Sequence, residues 1–410
     1  MQVESAMHPT MTRPADRYSP LYFLVSLGAG GLAVTFFMYL MFWVPHPTRP
    51  VPVFEDVAAA FAAGGLPMQL GIVAAYIGIT VFVVLNLRSL VWNIARYRRF
   101  RQTEAFRQLV STNAETQLLA MPLAMAMSVN AAFIAGMVFV PGLWSIIEYL
   151  FPFALVAFAA IGWLAFRFLG DFLGRVLTTG GVFDVTAHNS FAQLLPAFAL
   201  SMVAVGFAAP AAMSVTPLTI GISVIGSTFF GVASVLYAVV AAITGFNSML
   251  HYGTAKESGP TLLVVVPIMT VLGIMLLRQE HGLHVAFDAR AVAVETLVTL
   301  TRLMSVQVVF LMLGLLVLRR QEYFKQYVFG ADNSPGAYAL ICPGVALSVM
   351  IQFWLNKGLV AAGLVAKFSA GYWLITAIAI AFQISMIWLV FHLNRRHFGQ
   401  GRKTVAVPAE

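Results

Sequence analysis

The chain has 410 residues, of which 60% are hydrophobic and only 10% charged, where a soluble domain carries about a quarter charged residues. This excludes a soluble globular fold and leaves a polytopic membrane protein with far more apolar length than one anchor needs. The formal charge of +8 lies in connections between apolar runs, which fits membrane topology rather than a nucleic-acid partner, and a lone cysteine, Cys342, excludes an intramolecular disulfide.

Residues 1–20 are polar, contain Pro9, Pro14 and Pro20, and read as a cytoplasmic N-terminal tail. The first apolar run, 21–44, is too long for the core of a signal peptide and lacks a small-residue cleavage site, so it is expected to stay in the mature protein. Nine more runs follow at 68–92, 118–140, 143–173, 190–209, 216–243, 259–277, 294–318, 335–360 and 367–393. The expected fold is all-α with ten transmembrane helices, spans 1 to 10, in one domain over 21–393, followed by a cytoplasmic tail at 394–410.

Roughly two thirds of the 24 Lys and Arg fall in the tails and alternate connections, among them Arg96, Arg98, Arg99, Arg101, Arg319, Arg320, Arg395 and Arg396. The other connections hold only Arg49, Arg278, Arg290 and Lys367. Both termini are therefore expected inside, in a bacterial inner (plasma) membrane.

Short connections between spans 3 and 4, 5 and 6, and 9 and 10 predict five helical hairpins. Their odd members share a feature: Pro122, Pro196, Pro267 and Pro343 in spans 3, 5, 7 and 9, and Gly28, Gly30 and Gly31 in span 1. Among the even spans only span 4 has an interior proline, Pro152. Proline bends a helix and frees a carbonyl, and glycine permits close approach. Both are also ordinary in membrane helices, but their recurrence at matching places favours one quasi-five-fold ring with the odd spans around a central pore. The ring would offer weak neutral donors: Ser26 and Thr35, Ser128 and Asn130, Gln193 and Ser201, Thr270, and Ser348 and Gln352. Taken singly, each hydroxyl is also explained by a bond to its own helix backbone.

The middle of the chain, 178–209, joins a Gly-Gly turn, a polar collar at His188, Asn189, Ser190 and Gln193, and an apolar run that Pro196 interrupts. Its motif GGVFDVTAHNSF followed by LLPAFA, 180–199, resembles the start of the fifth helix in the tellurite-resistance/dicarboxylate transporter family, which also holds the plant slow-type anion channels. In the same order, YFLVSLGAGG at 22–31 is similar to the family's first helix, 96–122 to its basic loop and third-helix proline, PTLLVVVP at 260–267 to its seventh helix, and SPGAYALICPG at 334–344 to the entry of its ninth. The resemblance implies odd helices inside, a homotrimer with one pore per subunit, and chloride, nitrate, sulfite, malate or another dicarboxylate, or a tellurite-related oxyanion as substrate. It also places Cys342 where channel-like members carry a phenylalanine that plugs the pore. A thiol is too small for that, so either the path is open, the substrate is bulkier, or another side chain closes it, with Phe133, Met121, Met125 and Phe191 as candidates.

Charges inside spans are functional candidates by default, yet several have plainer roles. Arg88 can snorkel, Arg167 and Asp171 can pair four residues apart, and Arg302, on one face with Glu295, suits packing or a subunit contact. Lys357 either draws anions inward or snorkels at the interface. His188 matches the family motif and would cap the helix or, as a titrating group, couple protons. His281 and His284 form a weak metal pair without a third ligand, so no metal and no cofactor is expected.

The expected path residues are Ser26, Gly28, Pro122, Ser128, Gln193, Pro196, Pro267, Cys342 and Pro343, with Cys342 at the gate position and His188 and Ser190 at the cytoplasmic mouth. The expected function is transport of a small anion through a central pore, as a channel or a secondary transporter. An integral-membrane haem or quinone redox protein is the alternative, and would need histidines paired across helices. No Gly-x-Ser-x-Gly, His-Glu-x-x-His or phosphate-loop motif occurs, so no enzyme activity is expected.

Overall fold

The computed structural model describes residues 13–180, 183–184, 186, 189–287 and 293–399, with backbone alone at 284–287. Among these the chain is helical and contains no strand. Among the described residues ten helical segments are long and apolar enough to cross a membrane: span 1 Pro20–Trp43, span 2 Leu66–Phe100, span 3 Asn113–Phe139, span 4 Leu143–Thr179, span 5 Phe191–Met213, span 6 Pro217–Tyr252, span 7 Lys256–Leu283, span 8 Ala293–Arg320, span 9 Pro335–Val360 and span 10 Ala370–Phe398. Two shorter helices, Phe54–Ala63 and Glu104–Val110, lie in the connections after spans 1 and 2.

The odd spans begin in a common way. Each opens with a 3₁₀ segment (Pro20–Tyr22, Asn113–Leu119, Phe191–Leu194, Lys256–Leu263 and Pro335–Leu340) and then passes into an α-helix. In four of them a hydroxyl caps the first turn: Ser19, Thr112, Ser190 and Ser334 accept from the backbone N–H of Leu21, Ala114, Ala192 and Gly336 at 3.1–3.3 Å. Pro122, Pro196, Pro267 and Pro343 stand at the second or third residue of the α-helix that follows. First-turn N–H groups have no acceptor within the α-helix, so proline is accommodated there. The expectation that these prolines break or bend the odd helices is thereby corrected, because they mark where 3₁₀ becomes α. Span 5 also has a proline deep inside its α-helix, Pro210, beyond the 209 boundary expected for that run.

Burial divides the spans into two sets. In the odd spans 56–100% of the most apolar window is buried inside the protein, against 17–39% in the even spans. Span 2 shows why: Leu66, Leu70, Val73, Ile77, Val84 and Val91 recur at helical spacing on an exposed face, as a surface solvated by lipid would require. Span 1 has no such face, and its glycines set how closely its neighbours approach. A Cβ on Gly28 would lie 2.9 Å from Ile341 Cγ2, one on Gly31 would lie 2.8 Å from Val345 Cγ1, both in span 9, and one on Gly30 would lie 2.7 Å from Met127 Cγ in span 3.

Buried polar pairs tie successive spans together. Asn86 of span 2 donates to the Ser26 carbonyl at 2.7 Å, Ser234 of span 6 donates to the Ala197 carbonyl at 2.7 Å, and Gln307 of span 8 donates to the Val266 carbonyl at 2.8 Å. Tyr338 of span 9 donates to Asn394 of span 10 at 2.9 Å, and Arg175 of span 4 meets Glu115 of span 3 at 2.7 Å. Tyr22 and His397 bond at 2.9 Å, so the start of span 1 and the end of span 10 share one face, termed the terminal face. The connection after span 1 lies at the far face, where Arg49 and Asp56 pair at 2.7 Å.

The expected Arg167–Asp171 pair is not formed. The guanidinium of Arg167 sits 5.8 Å from the Trp163 ring centroid instead, since an aromatic four residues before competes on equal terms with a carboxylate four residues after. Arg88 and Arg302 are exposed on even spans.

Candidate functional site

A cavity of about 660 Å³ is lined by residues of all five odd spans, together with Phe151, Ala154 and Phe158 of span 4. It runs from the far face inward to a floor. On each odd span the lining residue nearest the terminal face is Leu27, Met127, Phe198, Pro267 or Cys342. About a turn further on, Leu24, Leu123, Leu194, Leu263 and Tyr338 are all buried, so the cavity ends at this level. Cys342 is therefore a floor residue, and the bulky groups at the same level, Met127 and Phe198, come from spans 3 and 5.

The walls are almost wholly apolar, with Val34, Met38, Phe133, Met202, Val205, Val271 and Ile274 among them. Thr270 also lines the wall, but it is engaged: its hydroxyl donates to the Ala346 carbonyl at 3.0 Å and accepts from Gln307 at 2.6 Å. Asn130 reaches the Met202 sulfur at 3.8 Å.

Charge is concentrated at the far-face mouth, where Arg49, Arg278 and Lys357 line the cavity with Glu280, His46 and His281. Arg49 is held by Asp56, and Glu280 accepts from Thr296 at 3.1 Å. Arg278 donates from Nη1 to the Val205 carbonyl of span 5 at 2.7 Å. That carbonyl neighbours the one on Gly206, which Pro210 leaves without its usual i+4 donor. Among the described residues Arg278 forms no ion pair. His46 lies in the connection after span 1; burial lowers its pKa below the usual 6.5, opposed by a bond to the Val44 carbonyl at 2.8 Å. It is neutral near pH 7.

Of the expected path residues, Gly28, Pro267 and Cys342 line this cavity. Ser26 does not: its hydroxyl donates to the Asn86 carbonyl of span 2 at 3.0 Å. Ser128 donates to the Ala124 carbonyl of its own helix at 2.9 Å, and Gln193 to the Asn113 carbonyl at 3.1 Å. Pro122, Pro196 and Pro343 are buried in the first turns of their helices, away from the cavity. Ser190 caps span 5, and His188 lies outside the described residues. Of the side chains offered as closing the space, Phe133 is in the wall, while Met121, Met125 and Phe191 are not in contact with the cavity.

Sequence reasoning missed Met127, Phe198 and above all Arg278. The last falls in an outer connection when the seventh run is ended at 277. The helix continues through Val265–Phe287, and Pro267, Thr270, Val271, Ile274, Arg278 and His281 all line the cavity at the spacing of one helical face. That recurrence was the available signal. Comparison with protein families, with curated proteins and with solved structures returned no match.

Proposed function

We propose that this chain moves small anions across a membrane along a path enclosed by the five odd spans, as a channel or a secondary transporter. The observation that carries the reading is the cavity itself: every odd span contributes to it, its walls are neutral and its mouth is cationic. An anion gains from the mouth charges and meets no fixed negative charge at the floor, so it can enter and also leave. The resemblance to the tellurite-resistance/dicarboxylate transporter family supports the same reading, with a quasi-five-fold ring, a homotrimer, both termini cytoplasmic and the far face outside.

In this reading the closed floor is a hydrophobic constriction. Phe198 and Met127 are its bulkiest lining side chains on spans 5 and 3, and Cys342 gives span 9 only a thiol there. The aromatic plug is thus supplied by span 5 in place of span 9. Uptake of a panel of chloride, nitrate, sulfite and malate into proteoliposomes, with and without a proton gradient, tests the proposal. Anion uptake above that of empty liposomes is expected, and uptake equal to empty liposomes for every anion would reject it.

A further inference from the structure

Arg278 and the walls beside it narrow the substrate class, given the transport reading above. A cavity of about 660 Å³ has the size of sites that enclose an organic ligand. A halide or nitrate would leave most of it to water, which finds few partners on walls of Met, Val, Ile and Phe. Of the three cations that line it, Arg49, Arg278 and Lys357, Arg49 is held by Asp56, and Arg278 presents a guanidinium whose planar fork matches a carboxylate in bidentate fashion. One Arg278 donor is fixed on the Val205 carbonyl at 2.7 Å, which holds the fork in place, and no carboxylate of the described protein neutralises it. Glu280, bonded to Thr296, lines the same end of the cavity and would repel a second negative charge.

We propose that the cavity binds an organic monocarboxylate with an apolar body, its carboxylate on Arg278 and its hydrocarbon part against Phe133, Met202, Val205 and Ile274. Arg278 is a specificity-determining residue in this account: the guanidinium selects the head group, and the walls reward chain length.

Titration calorimetry on the purified protein in nanodiscs with acetate, butyrate, hexanoate and benzoate, and with chloride and nitrate, provides the test. Affinity is expected to rise about tenfold or more from acetate to hexanoate, since each buried methylene adds to binding. Arg278→Gln should weaken hexanoate at least tenfold while leaving hexanamide binding within about twofold, and Arg278→Lys should fall between the two. If Arg278→Gln does not fold, Met202→Asn supplies the second arm: it should flatten the chain-length gain while acetate still binds. Equal affinity for acetate, hexanoate and chloride, or an unchanged chain-length gain in Met202→Asn, would overturn the monocarboxylate assignment and leave anion transport standing. Hexanoate binding at Arg278 without uptake of any anion into liposomes would support this site and reject the transport reading instead.

Discussion

The two ends of the cavity are built on opposite principles. At the far-face mouth Arg49, Arg278 and Lys357 stand against Glu280, while the floor of Leu27, Met127, Phe198, Pro267 and Cys342 carries no charge at all. The mouth can concentrate an anion over a distance set by ionic strength, whereas the floor acts only by steric exclusion and by expelling water. Attraction and passage are thereby separable, and changes at one end should leave the other's property intact.

The largest effect is expected at the floor. Phe198→Ala removes its bulkiest side chain and should raise the rate of anion uptake about tenfold or more with little change in half-saturating concentration. An unchanged rate would move the constriction elsewhere. Cys342→Phe is the converse, adding a ring where the floor has only a thiol. Uptake should fall several-fold, and unchanged flux in proteoliposomes would remove Cys342 from the path.

Smaller effects are expected at Asp56 and His46, beside the mouth. Asp56→Asn releases Arg49 from a partly exposed pair, which is worth little to stability, and should tighten anion binding about twofold to threefold, an increment that added salt abolishes. The weakest effect is that of pH. Burial holds the His46 pKa below 6.5, so the ring takes up a proton only on acidification past its lowered value. Anion affinity should then rise modestly, and His46→Ala should show a smaller rise, with His281 still lining the mouth. The linkage to stability has the opposite sign. The unfolded chain binds this proton first, so stability falls as pH drops from about 6.5 towards the folded-state value. Thermal unfolding between pH 7 and pH 5, with and without His46, measures it.

Much of the architecture could be read from the residues, because a run of about twenty apolar residues almost free of charge matches the length and solvent of a bilayer-crossing helix. The ten runs emerged from composition, and the odd–even alternation from short connections, from Pro122, Pro196, Pro267 and Pro343, and from Gly28, Gly30 and Gly31. What those prolines do did not. Residues 113–117 and 256–258 read as connections, yet they belong to 3₁₀ segments that open the spans, so the prolines that interrupt these runs stand in the first turns of α-helices. Side-chain direction was equally hidden. Ser26 and Ser128 lie on inner helices, but a hydroxyl there is satisfied as readily by a neighbouring carbonyl as by a substrate, and both take the carbonyl. Arg278 was lost to a boundary error of a few residues, the kind that hydropathy makes most easily where a helix carries charge near its end.

The central claim is that an anion passes between the charged mouth and the neutral floor. Potential-driven uptake of anions and of cations into proteoliposomes, compared across the parent chain, Phe198→Ala and Cys342→Phe, addresses it directly. The account predicts anion uptake that rises in Phe198→Ala and falls in Cys342→Phe, with cation uptake at the level of empty liposomes in all three. Cation uptake that responds to these substitutions, or anion uptake indifferent to both, would contradict it.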